Sequence, residues 1–386
     1  MPIEKAILKE FPDLNDAQKE AIGHTEGPLL VIAGPGSGKT LVLVLRTLNL
    51  LLRGIAEPEE IVLCTFTEKS AFELRDRLAL LSKKLGYQGN LTKMNVGTIH
   101  GIANAFIQRY RHRTALGNNY EVLDELTQLL FIFDHFNDIV GPDVNGKYFG
   151  RWSTKWNAIE GCRDYFNKIT EELIHLPDLK KSSDPFIQGI SDAYETYTKK
   201  LTDFNRIDFA HQQKIFLDLL DHSDVGREIR SKIRYVMVDE YQDTNYVQEQ
   251  LLLQLAKKNR NIAVVGDEDQ ALYRFRGGTV RNILEFEQHF KRCHLIILSV
   301  NYRSHEEIIK AYDKYMRAWP WSDSHTGKRF RYNKKIIPDP LDKFPKYPAV
   351  FSIWGTNRQD QARRFADFIA YLKDQSIIED ESQVAL

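Results

Sequence analysis

The sequence is poor in cysteine, has no long apolar run and carries no excess of either charge. Its three cysteines, Cys64, Cys162 and Cys293, are far apart and form no Cys-x-x-Cys pair. An odd, scattered set argues against a disulfide framework or a cysteine-built zinc site and fits a reducing compartment, so a cytoplasmic location is expected. The longest apolar stretch, Leu41 to Leu52, is broken by Arg46 and Asn49 and is too short to cross a bilayer. Met1-Pro-Ile-Glu-Lys5 has no apolar signal segment, and no membrane association is expected. Fifty-three basic residues offset fifty-three acidic ones, so a polyanionic partner would have to be met by local patches. Low-complexity segments and internal repeats are also missing. What is present is an ordinary globular composition, 42% hydrophobic and 27% charged over 386 residues, long enough for roughly two to three domains.

Against that background one segment stands out, Val31-Ile-Ala-Gly-Pro-Gly-Ser-Gly-Lys39-Thr40. It follows the apolar run Pro28 to Ile32, which reads as a buried strand, and precedes Leu41 to Arg46, which reads as the first turns of a helix. Strand, glycine-rich loop and helix in that order form the context of a phosphate-binding P-loop. Gly34, Gly36 and Gly38, with Ser37 between them, let backbone N–H groups turn toward an anion without Cβ clashes. The helix start adds its positive dipole end. Lys39 then reaches the β- and γ-phosphates, and the Thr40 hydroxyl can ligate Mg²⁺.

Strand and helix signals alternate over residues 1–100. Ile61 to Phe66 reads as a strand, Glu68 to Lys84 as a helix with Ala71, Leu74, Leu78 and Leu81 on one face, and Val96 to Thr98 as a further short strand. Such alternation predicts an α/β fold with a parallel sheet. Residues 101–204 read differently, as a mostly helical, aromatic-rich insertion whose Trp152, Trp156, Tyr165 and Phe166 are expected in its core. Sheet signals return with Tyr235–Val238, Ile262–Val265 and Leu295–Leu298. The expected domains are 1–100 with 205–292, the insertion 101–204, and a partial second domain over 293–386.

Polar residues cluster where these strands end, which is where open α/β sheets bind ligands. Val236-Met-Val-Asp239-Glu240 ends in two carboxylates. With a P-loop upstream, Asp239 is placed to hold Mg²⁺, directly or through water, and Glu240 to orient and deprotonate a water attacking the γ-phosphate. Without the P-loop the same pair would read as solvated charges. Val264-Val-Gly-Asp-Glu-Asp-Gln270 ends a third strand, and the Gln270 amide, which both donates and accepts, can sense the γ-phosphate or simply occupy a polar turn.

In order along the chain, several segments resemble the motifs of superfamily 1 helicases of the UvrD/PcrA/Rep group. Leu14–Ile22 resembles the Q motif, Ala33–Thr40 motif I, and Thr65–Arg75 motif Ia. Thr98-Ile-His-Gly101 resembles the next DNA-contacting motif, and Ile207-Asp-Phe209 the short one that closes the helical insertion. Val238–Asn245 is similar to motif II, Val265–Gly278 to motif III, and Leu298–Ser304 to motif IV. The resemblance implies a P-loop RecA-like sheet, a helical inserted subdomain and the start of a second RecA-like domain. The implied activity is ATP-dependent translocation or unwinding on single-stranded or partly duplex DNA, moving 3′ to 5′, with ATP and Mg²⁺ held between the two RecA-like domains.

The resemblance also implies residue roles. Gln18 would read the adenine edge and Tyr302 would stack on it. Arg303 would be an arginine finger, a group worth ~10³–10⁵ in rate. Phe66, Tyr273 and Phe275 would pack on bases, at ~1–3 kcal/mol per stacked base. Thr98, His100 and Arg276 would face the strand or couple it to the nucleotide. The chain departs from the family's usual residues at Pro35, Leu41, Glu68, Gly101, Ala271 and Gly278. Motifs V and VI are not found. Val350–Trp354 reads as a strand, Gln359–Leu372 as a helix, and Gln383–Leu386 as the opening of another strand, so these residues are expected to be the N-terminal part of a longer protein. A different class of reading is a nucleotide-dependent DNA- or protein-binding module that does not unwind, with protein partners docking on the helical insertion.

Overall fold

The computed structural model describes residues 2–271, 280–323, 326–341 and 349–384. Among them the strands are β1 (Leu29–Ala33), β2 (Ile61–Thr65), β3 (Asn95–Thr98), β4 (Glu121–Leu123), β5 (Arg206–Asp208), β6 (Tyr235–Val238), β7 (Ile262–Gly266), β8 (His294–Leu298), β9 (Val300–Asn301) and β10 (Ile337–Pro338). Six of them form one parallel sheet in the order β3-β2-β6-β7-β1-β8. The register sets Val31 opposite Val265 on one side and Ile296 on the other.

Every residue of β1, β2, β6 and β7 is buried, as expected for strands covered on both faces. Side chains alternate between two cores. Leu30, Ile32, Val62, Val236, Val238, Ile262 and Val264 pack on one face. Leu29, Val31, Ile61, Leu63, Met237, Ala263 and Val265 pack on the other. Helices α1 (Lys5–Glu10), α2 (Asp16–Gly23), α3 (Lys39–Leu52) and α4 (Glu68–Lys84) cover the second face. The helix α4 spans the expected residues, and its stripe of Ala71, Leu74, Leu78 and Leu81 is buried.

The first face is covered by α5 (Ile99–Arg109) and by four later helices. Between them in sequence come α6 (Glu125–Asp134), α7 (Phe136–Ile139), α8 (Lys155–Glu171), α9 (Leu176–Lys180) and α10 (Pro185–Asp203). These build a separate core from Leu123 to Leu201 that contains Phe131, Phe166 and Tyr197, with β4 and β5 pairing at its base. Phe166 is fully buried, and Trp152 and Tyr165 pack against this core, but Trp156 is 43% exposed. The remaining covering helices are α11 (Phe209–Asp221), α12 (Ser223–Lys232), α13 (Tyr246–Ala256) and α14 (Val280–His289).

The structure moves two expected boundaries. Helix α5, placed by its sequence in the insertion, sends Ile102, Ala103, Phe106 and Ile107 into the core of the sheet, so the helical insertion begins after Tyr110. Strand β8, allotted to the second domain, pairs with β1 over five residues. The compact first unit therefore comprises Met1–Val300 with Trp321–Lys334, and the second Asn301–Pro320 with Lys335–Leu386. The physical reason is edge pairing, because β1 would otherwise present an open ladder of N–H and C=O groups.

The second unit holds α15 (Glu306–Arg317), the β9–β10 pairing at its start, and α16 (Arg358–Asp374). The expected helix 359–372 is present as α16. The expected strand over Val350–Trp354 is not, since those residues have no ladder partner among the described residues. A largely apolar run such as this one joins a sheet only where a neighbouring strand pairs with its backbone.

Candidate nucleotide site

The functional candidates of the first unit gather where β1, β2, β6 and β7 end. Beyond β1 the chain turns through Gly36 (φ +67) and Gly38 (φ +82). At Gly38, the N-cap of α3, a Cβ would be strained in φ and would approach Gln18 Nε2 at 3.3 Å. Thr67 and Thr98 cap α4 and α5 with their side chains. The start of α3 has no side-chain cap, so no side chain competes with an anion for its first N–H groups. Gly34 N donates to Leu298 O at 3.1 Å and Ser37 Oγ to Gly34 O at 2.7 Å. The first bond holds the loop on the sheet, and the second closes the loop on itself.

Gln18 braces this loop from α2. Its Nε2 donates to Ser37 O at 3.2 Å, while its Oε1 accepts from Asn15 N at 3.1 Å in a capping box. The side chain is buried. The adenine contact implied for it would have to use the one Nε2 hydrogen or the one Oε1 lone pair left over.

Lys39 and Thr40, the first residues of α3, reach across to the other strand ends. Thr40 Oγ1 donates to Asp239 Oδ2 at 2.8 Å. Lys39 Nζ lies 3.3 Å from Glu240 Oε2 and donates to Gln270 Oε1 at 3.3 Å. Residues 199 to 231 positions apart are thus brought into one cluster. Burial, followed by the like charge of Glu240, pushes the Asp239 carboxyl above the usual range against the pull of Thr40 and Lys39. Glu240 sits in the left-handed region at φ +51, a conformation costing a non-glycine residue ~1 kcal/mol or more. It is held there by its N–H donating to Asp239 Oδ1 at 3.1 Å and by Gln242 Nε2 donating to its Oε2 at 2.8 Å.

This donor set fits a nucleotide with a divalent ion. A hydroxyl and one carboxylate are too few to cage a metal alone, and no cluster of three or more metal-ligating side chains occurs among the described residues. They are what Mg²⁺ uses when phosphates and waters supply its other oxygens. A buried carboxylate whose ionised form is disfavoured is also the group a cation would relieve.

Sequence reasoning passed over three residues. Gln242 links two strand ends, since its Oε1 accepts from Asp267 N at 3.0 Å while its amide group meets Glu240 and Asp243. Gly266 permits that approach, because a Cβ there would lie 2.7 Å from Gln242 Oε1. Asp243 is buried, and burial and Glu240 push its carboxyl up to about 7 against the pull of Lys39. Gln242 and Asp243 stand inside the motif II segment, and that position was the available signal.

The expected DNA-facing residues are placed unevenly. Phe66 is half-buried immediately after β2. Thr98 is buried, and its hydroxyl caps Gly101 N at 3.0 Å and donates to Glu68 Oε1 at 2.7 Å, so it is committed to the fold. Burial pushes the His100 imidazole down to about 4. Its ring lies 2.7 Å from Gln213 Nε2 and edge-on to Phe209 at 5.3 Å. At neutral pH it is an uncharged ring beside an aromatic that is 45% exposed. Tyr273, Phe275 and Arg276 lie outside the described residues. In the second unit, buried Asn301 accepts from Arg303 N at 2.8 Å and Ser304 N at 2.9 Å, a turn that leaves Tyr302 half-buried and Arg303 exposed.

A parallel sheet with a P-loop after an inner strand, and carboxylates and an amide at other strand ends, is the RecA-like class of P-loop fold. Comparison with known proteins narrows the class: the UvrD/REP helicase N-terminal domain family matches residues 14–291, and the chain belongs to that family. It is 33% identical over 304 residues to the ATP-dependent DNA helicase PcrA of Leuconostoc citreum, covering 77% of this chain and 38% of the relative. It is 34% identical over 307 residues to PcrA of Bacillus subtilis (strain 168), covering 79% and 39%. A probable DNA helicase II homolog of Rickettsia conorii is 31% identical over 333 residues, covering 82% and 48%. The chain spans less than half the length of each of these relatives. Among the described residues no helix is long and apolar enough to cross a membrane.

Proposed function

We propose that this chain binds ATP with Mg²⁺ on the loop Gly34–Thr40 and hydrolyses it to drive movement along single-stranded DNA, as the helicase core of a larger enzyme. The observation that carries the reading is the convergence of Lys39 and Thr40 from one strand end on Asp239, Glu240 and Gln270 from two others. The backbone N–H groups of Gly36 and Gly38 and the Lys39 ammonium bind the phosphates, while Ser37 N donates to Gly34 O at 3.3 Å and shapes the loop. Thr40 and Asp239 hold the divalent ion, which supplies charge neutralisation at the phosphate oxygens. Glu240 takes the proton of the attacking water, and its strained backbone holds the carboxylate toward Lys39. Gln270 faces the γ-phosphate. By family likeness, Tyr302 stacks on the adenine, Gln18 reads its edge, and Arg303 supplies the arginine finger. Phe66 and the uncharged His100 offer π-faces to bases, a sequence-tolerant contact. Movement 3′ to 5′, a preference for single-stranded or partly duplex DNA, and protein partners on the helical insertion belong to this proposal by family likeness.

The experiment is ATP turnover by the whole chain, with and without single-stranded DNA, beside Lys39→Ala. DNA-stimulated turnover that the substitution abolishes supports the proposal. Turnover unchanged in Lys39→Ala overturns the P-loop assignment. Nucleotide binding without turnover in either condition favours the nucleotide-dependent binding module instead.

A further inference from the structure

After β7 the chain carries three consecutive carboxylates, Asp267, Glu268 and Asp269, of which the first two are buried and the third has a side chain only 3% exposed. Burying three like charges together is costly unless they are paired. The pairing comes from a segment more than sixty residues away in sequence. Lys334, whose side chain is fully buried, reaches Asp267 Oδ1, lies 2.9 Å from Glu268 Oε2 and 3.2 Å from Asp269 Oδ2. Arg331 Nε lies 2.8 Å from Asp269 Oδ1, and Tyr332 N donates to Glu268 Oε1 at 2.8 Å. Tyr332 Oη also donates to Ile283 O at 3.3 Å, which seats the segment on α14. Burial alone would lower the Lys334 ammonium, but the three carboxylates outweigh it and hold it above its ordinary value.

The cluster does more than balance charge, because Asp267 is shared. One of its oxygens accepts from Lys334, and the other accepts from Gln270 Nε2 at 2.5 Å. Gln270 Oε1 in turn accepts from Lys39 Nζ. A continuous line therefore runs Lys334, Asp267, Gln270, Lys39. With Lys334 fixing Asp267 and Asp267 taking one Nε2 hydrogen, the Gln270 amide is left with its carbonyl on Lys39 and one Nε2 hydrogen, the only donor it can offer a phosphate oxygen. An amide free to flip would present either end and lose that selectivity.

We infer that Lys334 is a positioning residue for the nucleotide site, orienting Gln270 through Asp267 so that the chain distinguishes a triphosphate from a diphosphate. The inference rests on the reading of Gln270 as the residue that meets the γ-phosphate. The anchor also lies at a chain crossing, since Trp321–Lys334 belongs to the first unit while Pro320 and Lys335, on either side, belong to the second.

The test separates orientation from charge balance. Lys334→Met alone leaves excess negative charge in the core and is exposed to misfolding. The decisive variant is therefore Lys334→Met with Glu268→Gln, which removes one charge of each sign and keeps a carbonyl for Tyr332 N. The affinities of N-methylanthraniloyl ADP and of its non-hydrolysable ATP counterpart are measured by fluorescence titration on the whole chain, with thermal unfolding as the check on folding. The ratio of triphosphate to diphosphate affinity is expected to fall about five- to tenfold, the worth of one oriented hydrogen bond, with diphosphate affinity held within about twofold. Gln270→Ala is expected to lower the ratio equally, and the triple variant to lower it no further. A charge-balanced variant with the wild-type ratio would show that Lys334 only neutralises carboxylates and would overturn the inference, as would an additive loss in the triple variant. A wild-type chain that binds neither nucleotide overturns the nucleotide-site reading itself, and one that binds both equally overturns the role of Gln270. Each outcome is distinguishable from failure at Lys334.

Discussion

Asn in place of Asp243 should stabilise the protein in a pH-dependent way, and the size of the effect can be worked out from the site. Asp243 is 6% exposed, and its Oδ1 is buried with no hydrogen-bond partner among the described residues. Its Oδ2 accepts a long bond of 3.4 Å from Gln242 Nε2, the same nitrogen that donates to Glu240 Oε2 at 2.8 Å. Two carboxylates therefore share one amide, and burial and Glu240 push the Asp243 carboxyl from 3.8 up to about 7. A carboxyl raised in the folded state binds its proton where the unfolded chain has already lost it. Its contribution to stability is fully present below pH ~4 and is lost as pH rises through ~7. At ~1.4 kcal/mol per tenfold, the move from 3.8 to about 7 bounds the loss at ~4 kcal/mol. Asparagine has the shape of the protonated acid and still accepts from Gln242. Asp243→Asn should therefore be more stable than the wild type at pH 8, on the order of 1–3 kcal/mol, and no more stable at pH 4. Thermal unfolding of both proteins across this range measures it. A gain independent of pH, or a loss at pH 8, would refute the electrostatic account of the site.

Glu240→Gln should keep nucleotide binding, because the amide still accepts from Gln242 and from Lys39, yet lose turnover by about 10²–10⁴ with the general base removed; full turnover in that variant would place the base elsewhere. Phe166→Ala empties a fully buried position in the separate core of the insertion and should cost ~3–5 kcal/mol there. Limited proteolysis should then cut residues 111–204 first while ADP affinity is retained, and loss of ADP binding in step with cleavage would show that the two cores do not stand apart.

Much of this architecture was legible in the residues. The P-loop was, because glycine at a left-handed position and Lys-Thr at a helix start are local requirements, met within ten residues. The buried strands were, because an uninterrupted apolar run has few other uses, and α4 was legible from one stripe of four apolar residues. Other features were not. The burial of Gln18 follows from where the loop rests, and the commitment of the Thr98 hydroxyl to Glu68 follows from two strand ends meeting. That Val350–Trp354 has no ladder partner among the described residues is likewise beyond a local pattern, since pairing needs a second strand.

Most strands and helices, Val350–Trp354 apart, and the residue types suited to phosphate binding could be read from side-chain type and from spacing within a few turns. Folding was needed to show that β8 closes the edge of the first sheet beside β1, that α5 packs into the core of the sheet, and that Lys334 is buried against Asp267, Glu268 and Asp269. Those choices depend on which distant groups are present to satisfy an open backbone edge or an unpaired buried charge. A lysine reads the same in sequence whether it lies in water or at the centre of three carboxylates.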